Sequence, residues 1–141
     1  MTASSGVTSA PECLEKFAQL KMSKSLKYIL FKLNDTRTQI VVDKTSENPD
    51  YDEFLDNLPG DGCKWAVYDF HYTLEDGSQR NKLCFFSWSP DNAPIRAKMV
   101  HASSKDALRR SLDGIGVEIQ GTDPTEVAYE TVLDRVKRFS R

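Results

Sequence analysis

The chain has 141 residues, 39% hydrophobic and 28% charged, with a formal net charge of −2. That is the size of one ordinary domain, polar but far from disordered, and long enough to bury roughly two-thirds of the unfolded chain's surface. The charge balance supplies no global field toward nucleic acid or membrane, and no apolar run approaches the ~20 residues that span a bilayer. Residues 1–10 lack the basic and apolar regions of a signal peptide, so a soluble intracellular protein is expected.

Residues 1–8 read as a flexible polar N-terminal arm and 9–139 as one folded domain. Ser9-Ala10-Pro11-Glu12 has the form of a capping box, in which Ser9 caps and Glu12 reaches back. The helix it opens should run to about Lys21 and bury Leu14, Phe17, Ala18 and Leu20. After a polar loop, residues 28–33 read as a strand. Asn34, Asp35 and Thr36, which bond their own backbone, turn the chain into a returning strand at 39–43. Pro49 breaks the chain before a short amphipathic helix at 51–58, with Tyr51, Phe54, Leu55 and Leu58 on one side.

Residues 63–73 alternate Trp65, Val67 and Asp69 against Ala66, Tyr68, Phe70 and Tyr72, as in a strand packed on both faces. Glu75-Asp76-Gly77-Ser78 has hairpin-turn chemistry, and the partner strand at 80–88 is nearly continuously apolar. A long helix follows, with Pro94 near its first positions and Gly114 at its close. Residues 117–120 can form one more strand. Asp123-Pro124-Thr125-Glu126 is a second capping box. The last helix carries Ala128, Tyr129, Val132, Leu133, Val136 and Phe139 on its apolar face. The order α-ββ-α-ββ-α-β-α argues for an α/β (α+β) domain, a central mixed β-sheet flanked by helices on both faces.

Catalytic chemistry is not indicated. His71 and His101 are separate, Asp69 and Asp106 are single carboxylates, and no phosphate-binding, nucleophile-elbow or zinc-protease motif occurs. No metal, cofactor or enzyme activity is expected. Cys13, Cys63 and Cys84 form no paired motif, so reduced, inert thiols are the plain reading and a regulatory disulfide the alternative.

The long helix carries the distinctive signal. Placed at about 100° per residue, Ala97, Val100, His101, Ser104, Ala107, Leu108, Ser111 and Leu112 make a small, apolar packing face. The opposite face holds Arg96, Met99, Ala102, Ser103, Asp106, Arg109 and Arg110, with Lys98 and Lys105 at its edge. Residues 96–110 thus contain five bases against the single acid Asp106. Two readings stay open on periodicity: a solvated face with one stray Met, or a partner-binding patch with an apolar anchor and a charged rim.

The residues of this stretch carry a resemblance. Trp88-Ser89-Pro90-Asp91, Ala93-Pro94-Ile95, Ala97-Lys98-Met99-Val100 and Ala102-Ser103-Ser104-Lys105-Asp106, followed by Leu108-Arg109-Arg110, resemble the signature of the actin-depolymerizing factor/cofilin family. Ser5-Gly6-Val7, Tyr28-Ile29-Leu30-Phe31, Trp65-Ala66-Val67-Tyr68-Asp69-Phe70, Arg80-Asn81-Lys82 and Gln120-Gly121-Thr122-Asp123 match as well. The similarity runs from Ser5 to about Arg138, and the compact chain looks most like the fungal members.

The resemblance implies a protein that binds monomeric and filamentous actin, prefers the ADP form, and promotes filament severing and depolymerisation. Its monomer-binding surface would comprise Ser5, Gly6, Val7, Arg96, Lys98, Met99, Ser103, Asp106, Arg109 and Arg110, with Met99 as the anchor between actin subdomains. Its filament-binding surface would comprise Arg80, Lys82, Asp134, Arg135 and Arg138. Neutral Gln79 departs from a more basic family pattern, so filament affinity is expected to differ. Phosphoinositide binding would fall on Lys98, Lys105, Arg109 and Arg110. Phosphorylation would fall on Ser5 or its neighbour Ser4, where added negative charge displaces the arm from acidic actin. The family reading places a monomeric protein in the cytoplasm, on cortical actin structures. A nuclear import signal is not evident, because Lys21, Lys24 and Lys27 are interrupted by Met22, Ser23, Ser25 and Leu26. The alternatives are a phosphoinositide-binding regulatory module, which has no use for Met99, and a monomer-only actin binder.

Overall fold

The computed structural model describes residues 6–23 and 25–138; Ser4, Ser5 and Phe139 lie outside them. The longest apolar and aromatic runs form the centre of the sheet. Strand β4 (Lys64–Thr73) pairs antiparallel with β5 (Gln79–Trp88) in unbroken register, from Lys64 opposite Trp88 to Thr73 opposite Gln79. Gly77, at φ 88°, closes this hairpin with a backbone few other residues adopt. Strand β2 (Tyr28–Leu33) pairs antiparallel with both β4 and β3 (Gln39–Ser46). The edges are parallel: the two-residue β1 (Thr8–Ser9) on β3, and β6 (Ile115–Gly121) on β5. The sheet is therefore mixed, in the order β1-β3-β2-β4-β5-β6.

Alternation along the strands sends side chains into two cores. On one face Tyr28, Leu30, Tyr68, Phe70, Cys84 and Phe86 meet Phe54 of α2 (Tyr51–Asp56) and Val132 and Val136 of α5 (Tyr129–Arg138). On the other, Ile29, Phe31, Trp65, Val67 and Phe85 meet Phe17 and Leu20 of α1 (Pro11–Ser23) and Leu108 of α3 (Ile95–Arg109). Helices cover both faces, as the sequence argues.

Several local expectations are corrected. In α1 the sheet contacts are Cys13, Phe17 and Leu20, while Leu14 and Ala18 face outward. Ser9 sits in β1, and its hydroxyl donates to the Ala107 carbonyl at 3.3 Å instead of capping α1. Val7 and Thr8, assigned to the arm, belong to the fold: Val7 is 2% exposed and Thr8 pairs with Gln39. Helix α3 ends at Arg109, with Arg110 as its C-cap, and Gly114 (φ 99°) serves the turn into β6. The last helix is two, α4 (Pro124–Val127) and α5, broken where Ala128 turns extended. Asp123 caps α4 by accepting from the Thr125 and Glu126 amides, while Glu126 accepts from Thr122. Gly121 is required by packing: a Cβ there would lie 2.7 Å from Val127 Cγ1.

Candidate functional site

Helix α3 packs on the sheet through both polar and apolar side chains. His101, Ser104 and Leu108 are buried. The His101 ring stacks on Trp65 at 4.2 Å, and its Nε2–H donates to the Lys64 carbonyl at 3.1 Å. Burial drives its pKa down to about 4, although the Lys64 bond opposes this. His101 is thus a neutral structural ring.

The outward face is apolar along its centre. Met99 is 65% exposed, and so is Ile95, at 74%. Ala102, Ser103 and Asp106 continue the exposed stripe. Ile95 was missed in the sequence reading. The signal was present, since Ile95 and Met99 are four residues apart and lie about 40° apart on the wheel. A first-turn apolar residue is easily read as a boundary rather than as part of a patch.

The bases around this stripe are not equivalent. Arg96 and Arg110 are exposed, with no ion pair among the described residues. Lys98 Nζ donates to the Asp91 carbonyl at 3.2 Å. Lys105 and Arg109 both end on Glu118 of β6, at 3.0 and 2.7 Å. Burial raises the Glu118 pKa, but the bonds from Lys105 and Arg109 outweigh it and hold the carboxyl below its ordinary value. Gly6 is exposed at φ 72°, whereas Val7 packs in the same core as Leu108. The bond from Ser9 to Ala107 brings the N-terminal segment beside α3.

The second predicted set is dispersed. Arg80 lines an open depression of about 420 Å³ with Tyr129, Leu133 and Lys137 of α5, so this hairpin and the last helix share a surface. Lys82 lines a separate depression with Lys21, Gly114 and Gly116. Arg135 is folded back onto β6, donating from Nη2 to the Glu118 carbonyl at 2.9 Å. Asp134 and Arg138 form an exposed ion pair with each other at 2.5 Å.

The described residues contain no group of three or more His, Cys, Asp or Glu able to hold a metal, and no helix among them is long and apolar enough to cross a membrane. Burial pushes the Cys13 and Cys84 thiols up to about 11 and 12, so both stay protonated.

The family model described as cofilin/tropomyosin-type actin-binding protein matches residues 6–137. A cofilin from Mycosarcoma maydis is 58% identical over 135 residues, covering 96% of this chain and 97% of that protein. One from Schizosaccharomyces pombe is 58% identical over 134 residues, covering 95% of this chain and 97% of its own. Among solved structures, the crystal structure of Streptomyces griseoflavus cofilin superposes with a TM-score of 0.90 at 56% identity, covering 94% of this chain and 98% of that one. Plasmodium berghei actin depolymerization factor 2 superposes at 0.85 with 27% identity, covering 94% and 97%. With near-complete coverage in both sequence and fold, the chain belongs to the actin-depolymerizing factor/cofilin family.

Proposed function

We propose that this protein binds monomeric and filamentous actin, prefers the ADP-bound form, and drives actin turnover by severing and depolymerising filaments in the cytoplasm. The observation that carries this reading is the exposed Ile95–Met99 pair near the start of α3, rimmed by Arg96 and Lys98. A large apolar pair that the fold leaves in water, ringed by charge, is the anatomy of a protein interface. Family membership and the actin-binding description of the matched family support actin as that partner. Ser103 and Asp106 continue the exposed face of α3, and Gly6 belongs to the N-terminal segment that the Ser9–Ala107 bond holds beside this helix. Val7 acts by holding the N-terminal segment in place, and Ser5 is the proposed phosphorylation position.

Filament contact is assigned to the surface shared by Arg80 and α5, with Asp134 and Arg138 exposed upon it. Lys82 contributes from the neighbouring depression, and Arg135 supports the surface from beneath. A second ligand, the phosphoinositide headgroup, is assigned to Lys98, Lys105, Arg109 and Arg110, of which Arg110 is exposed and forms no ion pair among the described residues. Filament co-sedimentation tests the reading, with wild type, an Arg96→Ala/Lys98→Ala variant and an Arg80→Ala/Lys82→Ala variant. Wild type should pellet with ADP-actin filaments or raise the unsedimented actin. The second variant should lose filament binding and keep monomer binding, and the first should lose both. A wild type that does neither would refute the assignment.

A further inference from the structure

Lys105 and Arg109, one turn apart on α3, converge on a single carboxylate. Lys105 Nζ lies 3.0 Å from Glu118 Oε1, and Arg109 Nε lies 2.7 Å from Glu118 Oε2. A further bond from Arg109 Nη1 to the Leu112 carbonyl, at 3.3 Å, fixes the guanidinium. Two donors held to meet at one oxyanion-sized group make an anion seat, and charge-assisted bonds of this kind are the strong ones. Its occupant comes from the chain's own β6. The five bases from Arg96 to Arg110 therefore differ in availability: two are satisfied by an internal anion, while Arg96 and Arg110 are not.

We propose that Lys105 and Arg109 form an oxyanion seat that Glu118 fills in the free protein, so that Glu118 sets how readily the α3 surface accepts a phosphorylated ligand. The proposal rests on α3 being an anion-accepting face, and it adds the residue that regulates it. A phosphate monoester carries more negative charge than a carboxylate and offers three acceptor oxygens, so it can compete for both donors at once. Glu118 is 39% exposed at its side chain, so once displaced it can turn into water. With Glu118 seated, both donors are already occupied by a carboxylate; without it, both are open to a ligand oxygen. Masking then makes a prediction that a plain basic surface does not: Lys105 contributes little until Glu118 is neutralised, whereas Arg110 contributes throughout.

The test measures binding to phosphatidylcholine vesicles with and without phosphatidylinositol 4,5-bisphosphate, and in parallel to soluble inositol hexakisphosphate. Glu118→Gln should bind the phosphate-bearing probes about fivefold more tightly than wild type, as expected for one unmasked base near a charged surface. Arg110→Gln should weaken wild-type binding by about the same factor. Lys105→Gln should change little in wild type and cost about fivefold in the Glu118→Gln background. A gain on vesicles alone assigns the seat to a lipid surface; a gain on both probes assigns it to the phosphate group itself. The Lys105 and Arg110 variants change no residue of β6, and Arg109 still holds Glu118, so the masking contrast stands even where Glu118→Gln folds poorly. The idea is overturned if Lys105→Gln costs as much as Arg110→Gln in wild type. It is equally overturned if folded Glu118→Gln shows no gain while Arg110→Gln still weakens binding, in which case the anion-accepting face survives without the gate. Absence of binding by both wild type and Glu118→Gln would remove the anion-accepting face as well.

Discussion

His101 makes stability depend on pH between its ordinary value of 6.5 and about 4. Its ring lies under α3 against Trp65, and it donates from Nε2 to the Lys64 carbonyl. An added proton must sit on Nδ1, inside the core. Burial lowers the pKa from 6.5 to about 4. Because the folded value lies below the unfolded one, the unfolded chain binds more protons between them. Stability is therefore complete above 6.5 and is lost progressively as pH falls toward 4. The full shift corresponds to about 3 kcal/mol, of which about 2 kcal/mol is already lost near pH 5. For a domain of this size that loss lowers the melting temperature by roughly 6 °C. Urea unfolding followed by circular dichroism at neutral pH and near pH 5 measures it, with tryptophan fluorescence reporting the Trp65 stack. His101→Phe should keep the ring packing and flatten the curve in this window. An unchanged pH slope in that variant would refute the account.

Three other outcomes follow from the same geometry. Hydrogen bonds from Tyr28, Ser46 and Asn48 hold Glu53 down to about 2, so its contribution is present above 4.5 and lost as pH falls through 2; Glu53→Gln should remove that acid limb from a pH–stability profile. Met99→Glu should weaken monomeric actin binding by about 30-fold or more, read by fluorescence anisotropy, with the unfolding midpoint unchanged because the side chain is solvated. Phe54, fully buried between Tyr28, Tyr68 and Phe86, should cost about 3–5 kcal/mol when truncated to Ala, measured by denaturant unfolding.

The elements were largely legible because local chemistry dictates them. Alternating aromatics wrote β4, a Gly-containing turn wrote its hairpin, and Pro94 and Asp123 marked helix starts. The long helix also announced its two faces, because a 100° step sorts His101, Ser104 and Leu108 from Met99 and Asp106 whatever they pack against. What failed was local pattern without local competition. The Ser9 hydroxyl, expected to accept from an α1 amide, instead donates across to the Ala107 carbonyl, and Leu14 and Ala18 turned outward because the sheet touched the adjacent stripe.

By itself, then, the sequence determined the class of fold, the exposed Met on the outward face of α3 and the family, since each is encoded in residues close together along the chain. Only the tertiary structure decided which charges are free. Glu118 lies nine residues from Arg109 and on a different element, and a parallel crossover from α3 into β6 is what sets its carboxylate between Lys105 and Arg109. Arg135 reaches the backbone of the same residue from the opposite face of the sheet. A basic residue's availability depends on what lies within a few ångströms in space, and that distance is created by packing, not by spacing along the chain.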